Sequence, residues 1–309
     1  MSTGAAVLGT LEVRVAAWSD AGRSRSENQD HFLVADLGVA RGEGGLLLDP
    51  DAGGDQPIGG RAQVGHRGLL AMVADGMGGA AGGRIASHFA VAWTYRELLA
   101  RLDAAPSALE PPGLVAALRA AIEAANTRVH EQGLRTPEYA GMGSTVTAAL
   151  VVAGALHLAQ IGDSRAYLVR EGMAHRITRD QSLVQKLVDA GAITPEQALH
   201  SPQANLLLQA LGTAPTVEVE LTCLAARRGD LLLLCSDGLY RMLPDADIAA
   251  AARELADPAS LCRALVDTAN ERGSPDNITV VAARLEGEAL PPAAPGEIPA
   301  AQPYEPPAG

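Results

Sequence analysis

Apolar runs that stop at an aspartate, or begin just after one, organise this chain. Leu69–Ala74 runs into Asp75-Gly76, Ala155–Ile161 into Gly162-Asp163-Ser164, and Leu231–Cys235 into Ser236-Asp237-Gly238, while Asp276-Asn277 stands directly before Ile278–Leu285. Short apolar runs bounded by turn signals predict buried strands. The pattern therefore sets four carboxylates at strand ends, on rigid backbone. Other runs are joined by very short connections. Thr145–Val152 and Ala155–Ile161 are separated by Ala153-Gly154, Arg165–Val169 and Ala174–Ile177 by a turn containing Gly172, and Val217–Leu224 and Asp230–Cys235 flank Arg227-Arg228-Gly229. Such loops predict three hairpins and antiparallel pairing.

Helical spacing appears twice: Ile85, Phe89, Ala92, Tyr95, Leu99 and Leu102 form one stripe, and Leu114, Leu118, Ile122, Ala125 and Val129 a second. Asp257-Pro258 before Leu261–Asn270 reads as a helix N-cap followed by proline at the first helical position. Antiparallel strands with long amphipathic helices imply an α+β layered domain whose helices cover the outer sheet faces. Two segments break the pattern. Residues 38–68 hold many glycines, with Asp49, Asp51 and Asp55 among them, and predict an irregular insertion between two strands. Residues 287–309, rich in Pro, Ala and Gly, predict a disordered tail.

Composition narrows the function classes. Apolar residues make up 48% of the 309, which excludes global disorder and supports a sizeable core. Lysine and arginine total 24 against 36 acidic residues, a formal charge of -12. That balance excludes a general positive field for nucleic acid or anionic lipid and suits a chain that holds hard cations. The 3 cysteines have no CxxC spacing, so neither a disulfide framework nor a thiolate zinc site is expected, and a reducing cytoplasm fits. The 7 histidines offer no paired metal spacing. No uncharged apolar stretch nears the ~20 residues that span a bilayer, and no basic-then-apolar leader opens the sequence. A soluble cytoplasmic protein is expected.

Read with the segment Arg25-x-x-Asn28-Gln29-Asp30, the aspartates become specific. That segment, Val73-Ala74-Asp75-Gly76-Met77-Gly78-Gly79, Gly141-Met142-Gly143-Ser144-Thr145, Gly162-Asp163-Ser164-Arg165, Ser236-Asp237-Gly238 and Asp276-Asn277 occur in this order. Together they resemble the metal-dependent protein serine/threonine phosphatases of the PP2C (PPM) family, bacterial type, over residues 11–286. The resemblance implies a four-layer α-β-β-α sandwich, two central antiparallel sheets flanked by helices, with a flap-like segment at 181–213. It implies hydrolysis of phosphoserine and phosphothreonine in proteins by direct attack of a water bridging two metal ions, Mn²⁺ or Mg²⁺. By the same resemblance Asp75 bridges both ions, the Gly76 carbonyl and Asp30 serve the first ion and its neighbourhood, and Asp237 and Asp276 ligate on the other side. Asp163 matches a position that helps hold a third, weaker ion, and Arg25 one that binds the substrate phosphate. These four groups, Asp75, Asp237, Asp276 and Arg25, are the expected catalytic set.

Elementary chemistry supports the same set. Phosphate-monoester hydrolysis is very slow uncatalysed and needs charge neutralisation together with an activated water. Hard divalent ions supply both and take oxygen ligands, and a guanidinium fork matches two phosphate oxygens. Four positions depart from the family pattern. Met77 stands where many eukaryotic members have a histidine proposed as general acid, Gln29 replaces a frequent Glu, and Ala204 and Gln209 stand where relatives often carry basic flap residues. The implied partners are phosphorylated proteins in bacterial signalling, including a Ser/Thr protein kinase or its substrates, with no nucleic acid and no membrane span. Two rivals differ in class. Gly76-Met77-Gly78-Gly79-Ala80-Ala81 fits the G-x-G-x-x-A fingerprint of a dinucleotide-dependent oxidoreductase, which requires a parallel sheet. A catalytically weak, phosphoprotein-binding pseudophosphatase is the second.

Overall fold

The apolar runs assemble into two antiparallel sheets laid face to face. The computed structural model describes residues 10–38, 47–49, 56–105, 109–199 and 201–306. One sheet is built from β1 (Glu12–Asp20), β4 (Ile58–Gln63), β9 (Arg165–Arg170), β10 (Met173–Arg176), β12 (Leu231–Cys235) and β13 (Ile278–Glu286), in the order β10-β9-β12-β13-β1-β4. The other contains β2 (Asp30–Asp36), β3 (Leu47–Leu48), β5 (Leu69–Met77), β6 (Gly143–Ser144), β7 (Val146–Val152), β8 (Ala155–Ile161), β11 (Glu220–Ala225) and β14 (Gln302–Pro303). Its order is β14-β11-β8-β7-β5-β2-β3, with β6 paired to β5. On the outside lie α1 (Gly79–Ala104) and α2 (Pro111–Arg135), α3 (Leu183–Asp189) and α4 (Pro195–Leu199), and α5 (Asp237–Tyr240), α6 (Asp245–Glu254) and α7 (Pro258–Glu271).

Two-residue periodicity explains the layers. In β5, Leu69, Ala71 and Val73 face the opposite sheet, whereas Leu70, Met72 and Ala74 face α1 and α2. In β12, Leu232 and Leu234 point inward, and Leu231, Leu233 and Cys235 pack with Leu261 and Leu265 of α7. Both faces are covered, so the strands read as continuous apolar runs although the sheets are antiparallel. The expected α-β-β-α sandwich is the observed architecture. The stripe of α2 is buried as expected, and Asp257 caps α7 by accepting from the Ser260 amide at 2.9 Å. β5, which precedes the glycine-rich segment, pairs antiparallel with β2 and β7. A doubly wound dinucleotide fold is thereby excluded.

Four expectations are corrected. Val217–Leu224 and Asp230–Cys235 form no hairpin: β11 pairs with β8, while β12 pairs with β9 and β13 in the other sheet. Asp230 fixes this crossover, accepting from the Arg227 amide and from both sides of the buried Arg170 fork at 2.9 and 2.7 Å. The buried face of α1 is Ala86, Ala90, Thr94, Leu98 and Leu102, whose mostly small side chains let the helix lie close on the sheet. Ile85, Phe89, Tyr95 and Leu99 flank it, half-buried. Within 38–68, β4 pairs with β1 and β3 with β2, so the insertion contributes edge strands to both sheets; Asp51 and Asp55 lie outside the described residues. Residues 287–306 are ordered against the domain. Leu290 is fully buried between the sheets, Glu297 pairs with Arg170 and Arg227 at 3.0 and 2.9 Å, and β14 extends β11. Proline is compatible with this packing because β14 is a two-residue strand at the sheet edge. Residues 307–309 of the expected tail lie outside the described residues.

Candidate metal centre

The strand ends of both sheets meet at one pocket of about 480 Å³, lined by Arg25, Gln29, Asp75, Gly76, Met77, Asp163, Asp237, Arg241 and Asp276 among others. Asp30 opens β2 and stands directly opposite Asp75 of β5. Like charges facing each other across an antiparallel pair destabilise a sheet, so this placement already points to a cation between or beside them. Asp237 begins α5 immediately after β12, Asp276 sits two residues before β13, and Asp163 lies in the turn from β8 to β9. The sequence-predicted aspartates and Arg25 are thus brought to one place, with Asp30 buried just behind the lining.

Glycine makes the approach possible. A side chain on Gly76 would strike the Gly83 carbonyl of α1 and the Gln29 carbonyl, and one on Gly238 would strike the Asn277 carbonyl. The Asp-Gly pairs therefore serve close backbone packing rather than a left-handed turn. Asn277 holds the loop that carries Arg25. Its amide donates to the carbonyls of Ala21 and Glu27 at 2.8 and 3.0 Å, and its oxygen accepts from the Gln29 amide at 2.9 Å. Arg25 is half-exposed and donates from Nη2 to Asp276 Oδ2 at 2.8 Å, leaving most of its five N–H donors for another anion.

The carboxylates are held in a state that calls for positive charge. Burial, only partly offset by hydrogen bonds from Ser236 and Thr279 to Oδ2 at 2.6 and 2.7 Å, pushes Asp30 up to about 7, with Asp237 and Asp276 adding repulsion. Burial and the neighbouring charges of Asp30 and Asp237 raise Asp75 well above the ordinary carboxylate range. Asp163 is pushed up to about 7, chiefly by burial and then by Asp237 and Asp180. Asp237 is raised by burial despite Arg241. Clusters perturbed in this way mark functional sites.

A hard divalent ion fits these residues. The donor set is all oxygen, and two buried carboxylate oxygens, Asp30 Oδ1 and Asp237 Oδ1, have no hydrogen-bond partner. An unpartnered buried acceptor is costly, and a cation removes the cost. Among the described residues, no group of three His, Cys, Asp or Glu side chains is gathered closely enough to hold an ion on its own. They ring an opening instead, as expected of ions that keep waters and accept carbonyls.

Sequence reasoning missed Arg241, which stands four residues after Asp237 and pairs with it at 2.9 Å; helical i,i+4 spacing was the available signal. It also missed the support beneath Asp75, whose amide donates to Thr145 Oγ1 at 2.8 Å while that hydroxyl meets Ser164 Oγ at 2.7 Å. Gln209, expected where a basic flap residue would stand, is fully engaged with Gln181 and with the Glu218 backbone.

Comparison with known proteins agrees with this geometry. Residues 59–278 match the protein phosphatase 2C family. The chain is 40% identical over 275 residues to the serine/threonine protein phosphatase PstP of Mycobacterium tuberculosis, covering 89% of this chain but 45% of that one. It is 34% identical over 271 residues to the serine/threonine phosphatase stp of Listeria welshimeri, covering 85% and 92% of the two chains. A solved catalytic domain of PstP in complex with 2 manganese ions superposes with a TM-score of 0.68 at 37% identity, over 90% of this chain and 100% of that one. Sequence, sheet order and the gathered aspartates converge, and the chain belongs to the protein phosphatase 2C family.

Proposed function

We propose that the chain hydrolyses phosphoserine and phosphothreonine in proteins at this pocket, with Mn²⁺ or Mg²⁺ as resident ions. The observation that carries the reading is the convergence of Asp75, Asp237 and Asp276 from both sheets on one pocket, with Asp30 buried behind it and two buried carboxylate oxygens unpartnered. Asp75, Asp237, Asp276 and the Gly76 carbonyl would hold the ions, with Asp30 supporting from behind. When bound, such ions neutralise phosphate charge and supply the attacking water. Arg25 orients the phosphate through its free donors, and Met77, which cannot donate a proton, lines the wall beside it. Protonation of the leaving serine or threonine oxygen is thereby left to solvent in the pocket.

The substrates under this reading are phosphorylated proteins, including a Ser/Thr kinase or that kinase's own targets. No helix among the described residues is long and apolar enough to cross a membrane. The three cysteines are free, which suits a reducing cytoplasm. The test is phosphate release from a phosphothreonine peptide by chelator-treated protein, with and without added Mn²⁺. Turnover only with Mn²⁺ is expected. Stoichiometric peptide binding without release would establish the pseudophosphatase instead.

A further inference from the structure

We propose that the guanidinium of Arg241 takes the place of a third divalent cation beside Asp163, so that the centre holds two ions and completes its charge with a cation built into the chain. The inference rests on the two-ion reading above and concerns Asp163, one of whose oxygens already accepts from Tyr240 with the Arg241 guanidinium beside it. Arg241 follows the last residue of α5, and its side chain is 20% exposed. Its Nη2 lies 2.9 Å from Asp237 Oδ2 and 3.9 Å from Asp163 Oδ2, between the two carboxylates.

The rest of the Asp163 environment is equally committed. Tyr240 donates its hydroxyl to the same Asp163 oxygen at 3.1 Å. That ring lies on the Arg165 guanidinium, 3.6 Å from its centroid, and Arg165 is in turn gripped by both oxygens of Asp180. An ion approaching Asp163 from the pocket would meet a fixed positive charge, and the planar fork already supplies the neutralisation it would bring. The other arm of Arg241 donates to Asn205, which lies between α4 and β11 and lines the same pocket. Arg241 is therefore a positioning residue: it holds Asp237, sets a positive charge beside Asp163 and ties Asn205 to the pocket through a charge that cannot dissociate.

The measurement is the number of Mn²⁺ ions bound per chain, read by equilibrium dialysis and by loss of the free-ion paramagnetic resonance signal on titrating chelator-treated full chain. Wild type should bind two. Arg241→Ala should open a third, millimolar site, and adding Asp163→Asn to it should return the count to two. Arg241→Lys, which keeps the charge, should stay at two. Should Arg241→Ala not fold, Arg241→Gln carries the same expectation of three. A third ion in wild type overturns the proposal, and so does a count of two in both neutral variants. Wild type that binds no Mn²⁺ at all would instead remove the two-ion reading itself.

Discussion

Asp30 and Asp75 face each other across β2 and β5. Asp75→Asn removes one member of this repelling group. Phosphatase activity should fall by orders of magnitude at saturating Mn²⁺, while the chelated protein melts no lower than wild type, because a buried charge has been deleted. Near-normal turnover would remove Asp75 from the ligand set. The same repulsion sets a pH dependence. Asp30 and Asp163 are raised to about 7, against an unfolded value near ~3.9, so the folded state binds their protons more tightly than the unfolded one. That stabilisation is complete below the unfolded value and lost as pH rises through the folded one. The melting temperature of chelated protein should therefore decline from about pH 5 to pH 8, and saturating Mn²⁺, which favours the ionised carboxylates, should abolish the decline. A flat profile without metal would contradict the buried, uncompensated cluster. Arg25→Ala should leave the Mn²⁺-induced melting shift intact yet lower kcat/KM by roughly 10–150-fold, the loss of a charge-assisted fork worth about 1.5–3 kcal/mol. Arg25→Lys should recover little. Every aspartate at this pocket was legible from strand-end position and motif order. Arg241 was not read, because its only signal, i,i+4 spacing from Asp237, depends on the short helix α5 that the structure places there.

At the scale of elements, the site is shaped by how strand ends are fastened to neighbouring loops. Asn277 spends three hydrogen bonds on the segment between β1 and β2, so Asn277→Ala should act as a remote copy of Arg25→Ala. We expect kcat/KM to fall at least tenfold, with a stability loss of about 2–4 kcal/mol from the unpaired buried groups, measured by denaturant unfolding of the metal-loaded protein. Unchanged kinetics would show that the loop holds Arg25 without it. The strands themselves were readable because each is a short apolar run with a turn at its end. Two element-level expectations failed, each for its own reason. The short Arg227–Gly229 connection fixes how far the chain travels, not whether it stays in the sheet, and Asp230 bound to Arg170 turns it across. In α1 the large side chains attract the eye, but the sheet selects Ala86 and Ala90, since proximity is limited by bulk.

For the molecule as a whole, the C-terminal segment is a structural strap rather than the loose tail its composition suggested. Composition counts prolines but cannot see that Leu290 finds a fully buried site between the sheets and that Glu297 finds two arginines. Leu290→Ala should destabilise the domain by about 2–5 kcal/mol, detected as a lower denaturant midpoint with an unchanged slope. A loss of only a few tenths would return the segment to the status of an appendage.

The crossover at Arg227–Gly229 is one of several by which the chain alternates between sheets, and it bears on how the protein comes to exist at all. β1 pairs with β13, Glu12 lying opposite Glu286, so β1 waits for β13 before its sheet can close. Loop closure over such separations makes folding slow and leaves apolar surface open meanwhile. Asp30 and Asp75 come from one sheet, Asp237 and Asp276 from the ends of strands in the other. No half-made product of the ribosome can therefore carry the assembled carboxylates, and the nascent chain stays blind to metal until β13 is laid in place.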